Sequence, residues 1–298
     1  MQDSALCTLC PRNCSVDRRS KTGYCSAPLH VMLARAALHH WEEPCISGTR
    51  GSGAVFFCGC PLKCVYCQNF GISRLEEGAH AQRVSIKRLK EIYRELIEKG
   101  AHNIHLVTPT HYAHAVLASL DEPLPVPVVY NCSGYEKIET LRMLKGKIQI
   151  YMPDLKYLSS DIAKRYSFAP DYPDIAKKAI DEMYQQVGDP VFDEEGILKS
   201  GVIIRHLILP GQVENTLDFI DYISEHFKPG SVLIHIMAQY TPCGKAADYP
   251  EINRKITQEE YDRVLSYLKY SPIEDGYIQE MEAAGEEYIP DFDGTGVI

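Results

Sequence analysis

The chain has 298 residues, 45 % of them hydrophobic and 24 % charged, which is the profile of an ordinary globular protein with room for one large α/β domain or two small ones. Its formal net charge of −9, from 31 basic and 40 acidic side chains, argues against phosphate-driven nucleic-acid binding, whose footprints are basic. No stretch approaches the eighteen or so apolar residues of a membrane helix, and the start MQDSALC lacks the basic and apolar regions of a secretory signal. The cytoplasm is the expected compartment, with neither membrane nor nucleic acid as a partner.

Eleven cysteines are the compositional anomaly. In a reducing compartment, clustered cysteines read first as metal or redox ligands. Residues 1–50 form a Cys-rich N-terminal extension, where Cys7, Cys10, Cys14 and Cys25 lie in a stretch without periodicity. Four thiolates here can close a structural zinc site that folds a core-poor segment, or bind an auxiliary iron–sulfur cluster. Their spacing does not separate the two, and zinc is the preferred reading. LHVMLARAALHHW (29–41) reads as either strand or short helix.

From residue 54 a βα rhythm begins. AVFFCG (54–59) is a buried-strand run, and SIKRLKEIYRELIEKG (85–100) has helical apolar spacing, with Ser85 as N-cap and Gly100 as stop. Strands are predicted at 104–109, 126–131, 148–156, 202–210 and 232–240. Helices follow at 110–120, 136–145, 158–187, 214–227 and 257–269. Strands alternating with helices give a parallel sheet. Six units are fewer than the eight of a closed barrel, which leaves a partial barrel or an open doubly wound sheet. The expected fold class is α/β, a partial (β/α)6 TIM-type barrel over 51–270, followed by a C-terminal tail, 271–298, packing irregularly on the core. Function then belongs at the C-terminal ends of the strands.

GCPLKCVYCQNF (59–70) follows the first of these strands and carries Cys60, Cys64 and Cys67. Structural zinc sites are usually closed by two pairs of cysteines, whereas cysteines also hold iron–sulfur cubanes. Three ligands leave one iron open for a substrate or cosubstrate. The spacing C-x3-C-x2-C, with Tyr66 before the last cysteine, resembles the signature of the radical S-adenosylmethionine superfamily. CPRNC, WEEPCISG, GAHNIHLVTPTHY, YMPDLKY, RHLILPG and QYTP together resemble the branch related to pyruvate formate-lyase activating enzyme, over nearly the whole chain.

That resemblance implies a [4Fe-4S] cluster on Cys60, Cys64 and Cys67 whose free iron binds S-adenosylmethionine. The reduced cluster splits the sulfonium, and the resulting 5′-deoxyadenosyl radical removes a hydrogen atom from substrate. In this branch the substrate is a glycine of a glycyl-radical enzyme, and the electron comes from a low-potential donor such as a flavodoxin or ferredoxin. The resemblance sets Tyr66 against the adenine. Thr108 and Thr110 stand where the family has a Gly-Gly-Glu-type segment at the methionine amino group, and this chain has no such glycine pair. Asn131 and Ser133 fall near the methionine carboxylate and ribose. Asp154 and Lys156, two apart and on one face of a strand, correspond to the catalytic Asp-x-Lys that anchors cosubstrate or target glycine. Arg205 corresponds to the arginine on the cosubstrate carboxylate, and Gln239 stands near a family histidine. His206 and His235 read as core histidines. Two other readings stay open: the same radical chemistry on a small molecule or another peptide, and a non-catalytic zinc-binding interaction protein.

Overall fold

In the computed structural model, which describes residues 6–75, 80–281 and 290–298, VMLARAALH is a strand, β1 (Val31–His39). It pairs antiparallel with β2 (Ser52–Phe57), with a register shift between Leu33 and Arg35. Such a bulge interrupts side-chain alternation, which is why the sequence gives no clean period there. Residues 31–39 therefore belong to the sheet of the barrel, and the boundary expected at residue 50 falls between two paired strands.

The remaining strands are β3 (Gln82–Val84), β4 (Ile104–Val107), β5 (Val128–Cys132), β6 (Ile150–Pro153), β7 (Val191–Phe192), β8 (Leu198–Leu207), β9 (Leu233–Met237) and β10 (Gly276–Ile278). They form one sheet in the order β10-β9-β8-β6-β5-β4-β2-β1-β3, with β7 folded onto β8. Strands β2, β4, β5, β6, β8 and β9 are the six expected parallel strands, and β10 adds a seventh at the edge. The fold is thus a partial (β/α)6 barrel carrying a Cys-rich N-terminal segment.

Helices α1 (Pro44–Ser47) and α2 (Phe70–Arg74) are short. The crossovers are α3 (Ile86–Glu98), α4 (Ala113–Ser119), α5 (Ile138–Met143), α6 (Ser160–Ser167), α7 (Tyr172–Val187) and α8 (Val213–His226), with α9 (Gln258–Lys269) after β9. Ser85 accepts a hydrogen bond from the Arg88 N–H at the start of α3, and Gly100 takes φ +95 just beyond its end; both are the expected helix signals. Alternate residues of each strand divide the core. Val55, Phe57, Leu106, Tyr130 and Ile204 pack in the large cluster with the helices. Val129, Ile150, Met152, Ile203 and Leu233, on the other face, pack against Cys45 and Ile46 of α1. The segment around α1 thus fills one end of the barrel's interior.

The described part of the tail does not run loosely over the surface. Gly294 donates to the Ala34 carbonyl (2.9 Å), and the Ala36 N–H donates to Thr295 (2.8 Å). Val297 is buried. Among the described residues, no helix is long and apolar enough to cross a membrane.

Candidate functional site

The loop after β2 is held from both sides. Gly59 turns the chain at φ +89, where a Cβ would meet the Cys25 carbonyl at 2.7 Å. From the N-terminal segment, Arg12 donates to the Pro61 carbonyl (2.9 Å), the Cys60 N–H bonds Cys25 (3.3 Å), and Lys63 donates to Ser26 (2.6 Å). From behind, Arg74 donates to Lys63 (2.9 Å) and the Lys245 N–H to Val65 (2.7 Å). Cys60, Cys64 and Cys67 thereby face one cavity of about 250 Å3. Burial pushes the Cys60 thiol up to about 11 and that of Cys67 to about 12, with the neighbouring Cys64 adding to both. The Cys64 sulfur accepts from Ser167 Oγ (3.0 Å), which meets the Tyr157 hydroxyl (2.7 Å), which in turn meets the Tyr66 hydroxyl (2.7 Å).

The strand ends supply the rest of the cavity wall. Tyr66, Thr108, Asn131, Ser133, Asp154, Lys156, Arg205 and Gln239 all line it. Thr108 takes φ +58, a left-handed conformation that is strained for a β-branched residue, costing about 1–3 kcal/mol, and that clusters at functional positions. Asp154 is paired twice, with Lys156 Nζ (2.6 Å) and Arg205 Nε (3.1 Å). Burial by itself would raise its carboxyl; the two facing cations overcome that and hold it below the ordinary range. Burial works against the Lys156 charge as well, and the Asp154 carboxylate more than restores it. Arg205 Nη2 also donates to Asn131 Oδ1 (2.7 Å), so its fork is already engaged by the protein. Gln239 exchanges hydrogen bonds with Gln279, just past β10. Ser133 Oγ is buried with no hydrogen-bond partner among the described residues.

Thr110 stands apart. A 3-10 turn (Thr110–Tyr112) directs it inward, where its hydroxyl donates to Glu136 Oε1 (2.5 Å). His206 is held between the Leu155 carbonyl (2.6 Å) and Thr216 Oγ1 (3.0 Å), and burial lowers it to about 4, so it is neutral in the core. His235 lies partly open to solvent and pairs with Glu43 Oε1 (2.7 Å).

The Tyr172 hydroxyl ties two strand ends together, lying 2.8 Å from the Ser133 carbonyl and 2.7 Å from that of Asp154, and accepting from the Lys156 N–H (2.9 Å). Gly134 passes close by at φ +75, where a Cβ would lie 2.3 Å from the Asp154 carbonyl oxygen. Gly134→Ala is therefore expected to cost about 1–3 kcal/mol from backbone strain alone, with the clash added. Thermal unfolding reads the loss, and a melting point equal to wild type would contradict this geometry.

Neither cysteine set converges on a single ion. Among the described residues no group of three or more His, Cys, Asp or Glu side chains is placed to hold one metal ion. A cubane spreads its thiolates over separate irons and does not require that convergence.

Sequence reasoning missed the far end of the cavity, lined by His39, Trp41 and Glu42. Glu42 stands near His105 (3.6 Å) and Arg205 (3.7 Å) inside the barrel. Glu42 and Glu43 carry no local signal in the sequence that marks them as interior. Acids are almost never fully buried unless paired, so only the fold reveals their position.

No family model matches the chain. Its fold is shared with SuiB of Streptococcus suis, solved bound to S-adenosylmethionine, at TM-score 0.51 and 16 % identity over 76 % of this chain and 50 % of SuiB. A second crystal structure of SuiB aligns at TM-score 0.50 and 15 % identity, over 75 % of this chain and 47 % of that one. The chain spans about half the length of these structures, and the likeness is one of fold: a partial-barrel protein whose polar cavity opens at the strand ends. In sequence it is 30 % identical over 267 residues, 87 % of this chain and 73 % of the relative, to the uncharacterized protein MJ0674 of Methanocaldococcus jannaschii. The chain belongs to the family of that protein.

Proposed function

We propose that the chain is a radical S-adenosylmethionine enzyme of the activating-enzyme-like branch, abstracting a hydrogen atom from a glycine of a partner protein. One observation carries this reading: three thiols on the loop after the first parallel strand share a single cavity with the polar ends of the next strands. The donor set suits a [4Fe-4S] cluster, because cysteine thiolates are its usual ligands and the unpartnered Ser133 hydroxyl is available to a bound cosubstrate. When bound, the cluster would supply the electron that splits S-adenosylmethionine into methionine and the hydrogen-abstracting 5′-deoxyadenosyl radical.

The chain's own residues would then bind and orient. Cys60, Cys64 and Cys67 would hold the cluster. Lys156, fixed by Asp154, would present an ammonium to the cosubstrate or to the target backbone. Ser133 and Asn131 would hydrogen-bond the methionine carboxylate and ribose, with Arg205 adding positive charge from below, and Tyr66 would flank the adenine. Thr108 and Gln239 would complete the wall. Cys7, Cys10, Cys14 and Cys25 are proposed as a second thiolate site, next to the cluster loop through the Cys60–Cys25 bond. The electron would come from a flavodoxin- or ferredoxin-type donor.

Anaerobic reconstitution with iron and sulfide, followed by metal analysis and incubation with S-adenosylmethionine and dithionite, tests the reading. The expected result is about four irons per chain from the central loop, with methionine and 5′-deoxyadenosine released. Further iron, or zinc, in the same sample assigns the N-terminal metal. Zinc alone with no nucleoside product would instead support a binding protein.

A further inference from the structure

The cavity has a second end. His39 pairs with Ser52, the first residue of β2, while the cysteines follow Phe57, its last. At the rise of a strand this separates the two ends by roughly 17 Å. At the far end, Glu42 is a carboxylate held by loose ion pairs and no hydrogen bond among the described residues, and beside it Glu43 Oε2 is buried without a partner among them. Asp154 has two cations at hydrogen-bond distance, and Glu43 has His235 at 2.7 Å. Around Glu42 the basic atoms stand off, at 3.6 Å for His105 Nδ1, 3.7 Å for Arg205 Nη1 and 3.9 Å for His39 Nε2. No hydrogen bond among the described residues reaches its carboxylate, although its side chain is only 11 % exposed and faces the cavity. Burial and the adjacent Glu43 raise the Glu42 carboxyl, and burial lowers His39 and His105, the latter to about 3. These histidines are therefore neutral neighbours. Arg205 is the charged neighbour of Glu42, but the Nε and Nη2 of that side chain are committed to Asp154 and Asn131, so the Glu42 oxygens keep acceptor capacity that a ligand donor can fill. Trp41, next in the chain and lining the same cavity, offers an indole face, which attracts cations.

We infer that Glu42, flanked by His39 and Trp41, is a recognition site for a cationic nitrogen group of the substrate, an ammonium at the opposite end of the cavity from the cysteine loop. The inference rests on the proposed function only in naming the bound molecule a substrate, since the binding stands by itself. A carboxylate and an aromatic face together select a cation over a neutral or anionic group of equal size, and so define the substrate's chemistry.

Trp41 is the chain's single tryptophan, so its emission reports on this end alone. The reconstituted full chain is titrated with n-butylammonium, with a capped Gly–Lys–Gly peptide, and with 1-butanol and butyrate as neutral and anionic counterparts, calorimetry confirming each isotherm. At least one cationic probe is expected to bind saturably and its counterparts not. A response to the peptide alone marks a protein substrate, and to the amine alone a small molecule. Glu42→Gln should weaken cation binding about tenfold or more, as loss of a charge-assisted hydrogen bond does, with Glu42→Asp less affected. Butanol binding as tightly as butylammonium, no binding of either cation, or unchanged affinity in a folded Glu42→Gln variant would each overturn the site. Should that variant fail to fold, the probe comparison on wild type decides. Nucleoside formation by wild type is measured separately, so a failure of the radical reading is distinguishable from a failure of the cation site.

Discussion

Replacing Cys60, Cys64 or Cys67 with alanine is expected to reduce 5′-deoxyadenosine formation to background and to strip iron from the central loop. With three thiols for a four-iron cluster, none is redundant. The loop itself should persist. It is fixed by Arg12, Lys63, Arg74 and Lys245 through backbone carbonyls and Ser26, and none of those contacts uses a cysteine side chain. Loss of activity should therefore come with little loss of secondary structure by circular dichroism. Cys58→Ala is the control, because Cys58 is buried with Phe56 and Ile72 instead of facing the cavity; it should keep its iron at a cost of about 1 kcal/mol in stability. A Cys64→Ala chain that still held iron and still released 5′-deoxyadenosine would refute the cluster assignment.

Asp154→Ala is expected to be the most destabilising single change at the strand ends, by about 3 kcal/mol, because it leaves two partly buried cations without their shared carboxylate. Lys156 and Arg205 both depend on it, and Arg205 in turn positions Asn131. Binding of S-adenosylmethionine, measured by calorimetry, should weaken with it. The pH dependence has a definite sign. The folded carboxyl titrates below its ordinary value, so its stabilisation is complete above the unfolded-state pKa of about 4 and is lost as pH falls through the folded value. Asp154→Asn should flatten that acid limb in chemical denaturation series. If the acid limbs of wild type and Asp154→Asn superimpose, the pairing contributes nothing measurable.

Legibility in the sequence followed the local signals. The six parallel strands were readable because each is a short apolar run bracketed by turns, and α3 because its periodicity, Ser85 and Gly100 agree. β1 was ambiguous because its bulge breaks the alternation, and β10 was invisible because GYI is three residues long with exposed ends. At the site, Asp154 and Lys156 were picked out by their two-residue spacing after a strand, and the central cysteines and Arg205 by their resemblance to a known family; all of them line one cavity. Thr110 meets Glu136 because a 3-10 turn rotates the chain just after β4, a turn its sequence does not signal. Glu42 was hidden because the barrel interior, not its own neighbours, determines its environment.

The short pairing of β1 with β3, only Val31–Leu33 against Gln82–Val84, leaves the second half of β1 with its outer backbone groups dependent on residues 294 and 295. Those two residues act as a guard on a sheet margin. Removal of residues 290–298 would uncover a bare strand rich in alanine and leucine, the kind of margin that recruits a second molecule. Self-association of such a shortened chain would thus be a packaging artefact of the missing guard and no guide to how the intact chain assembles.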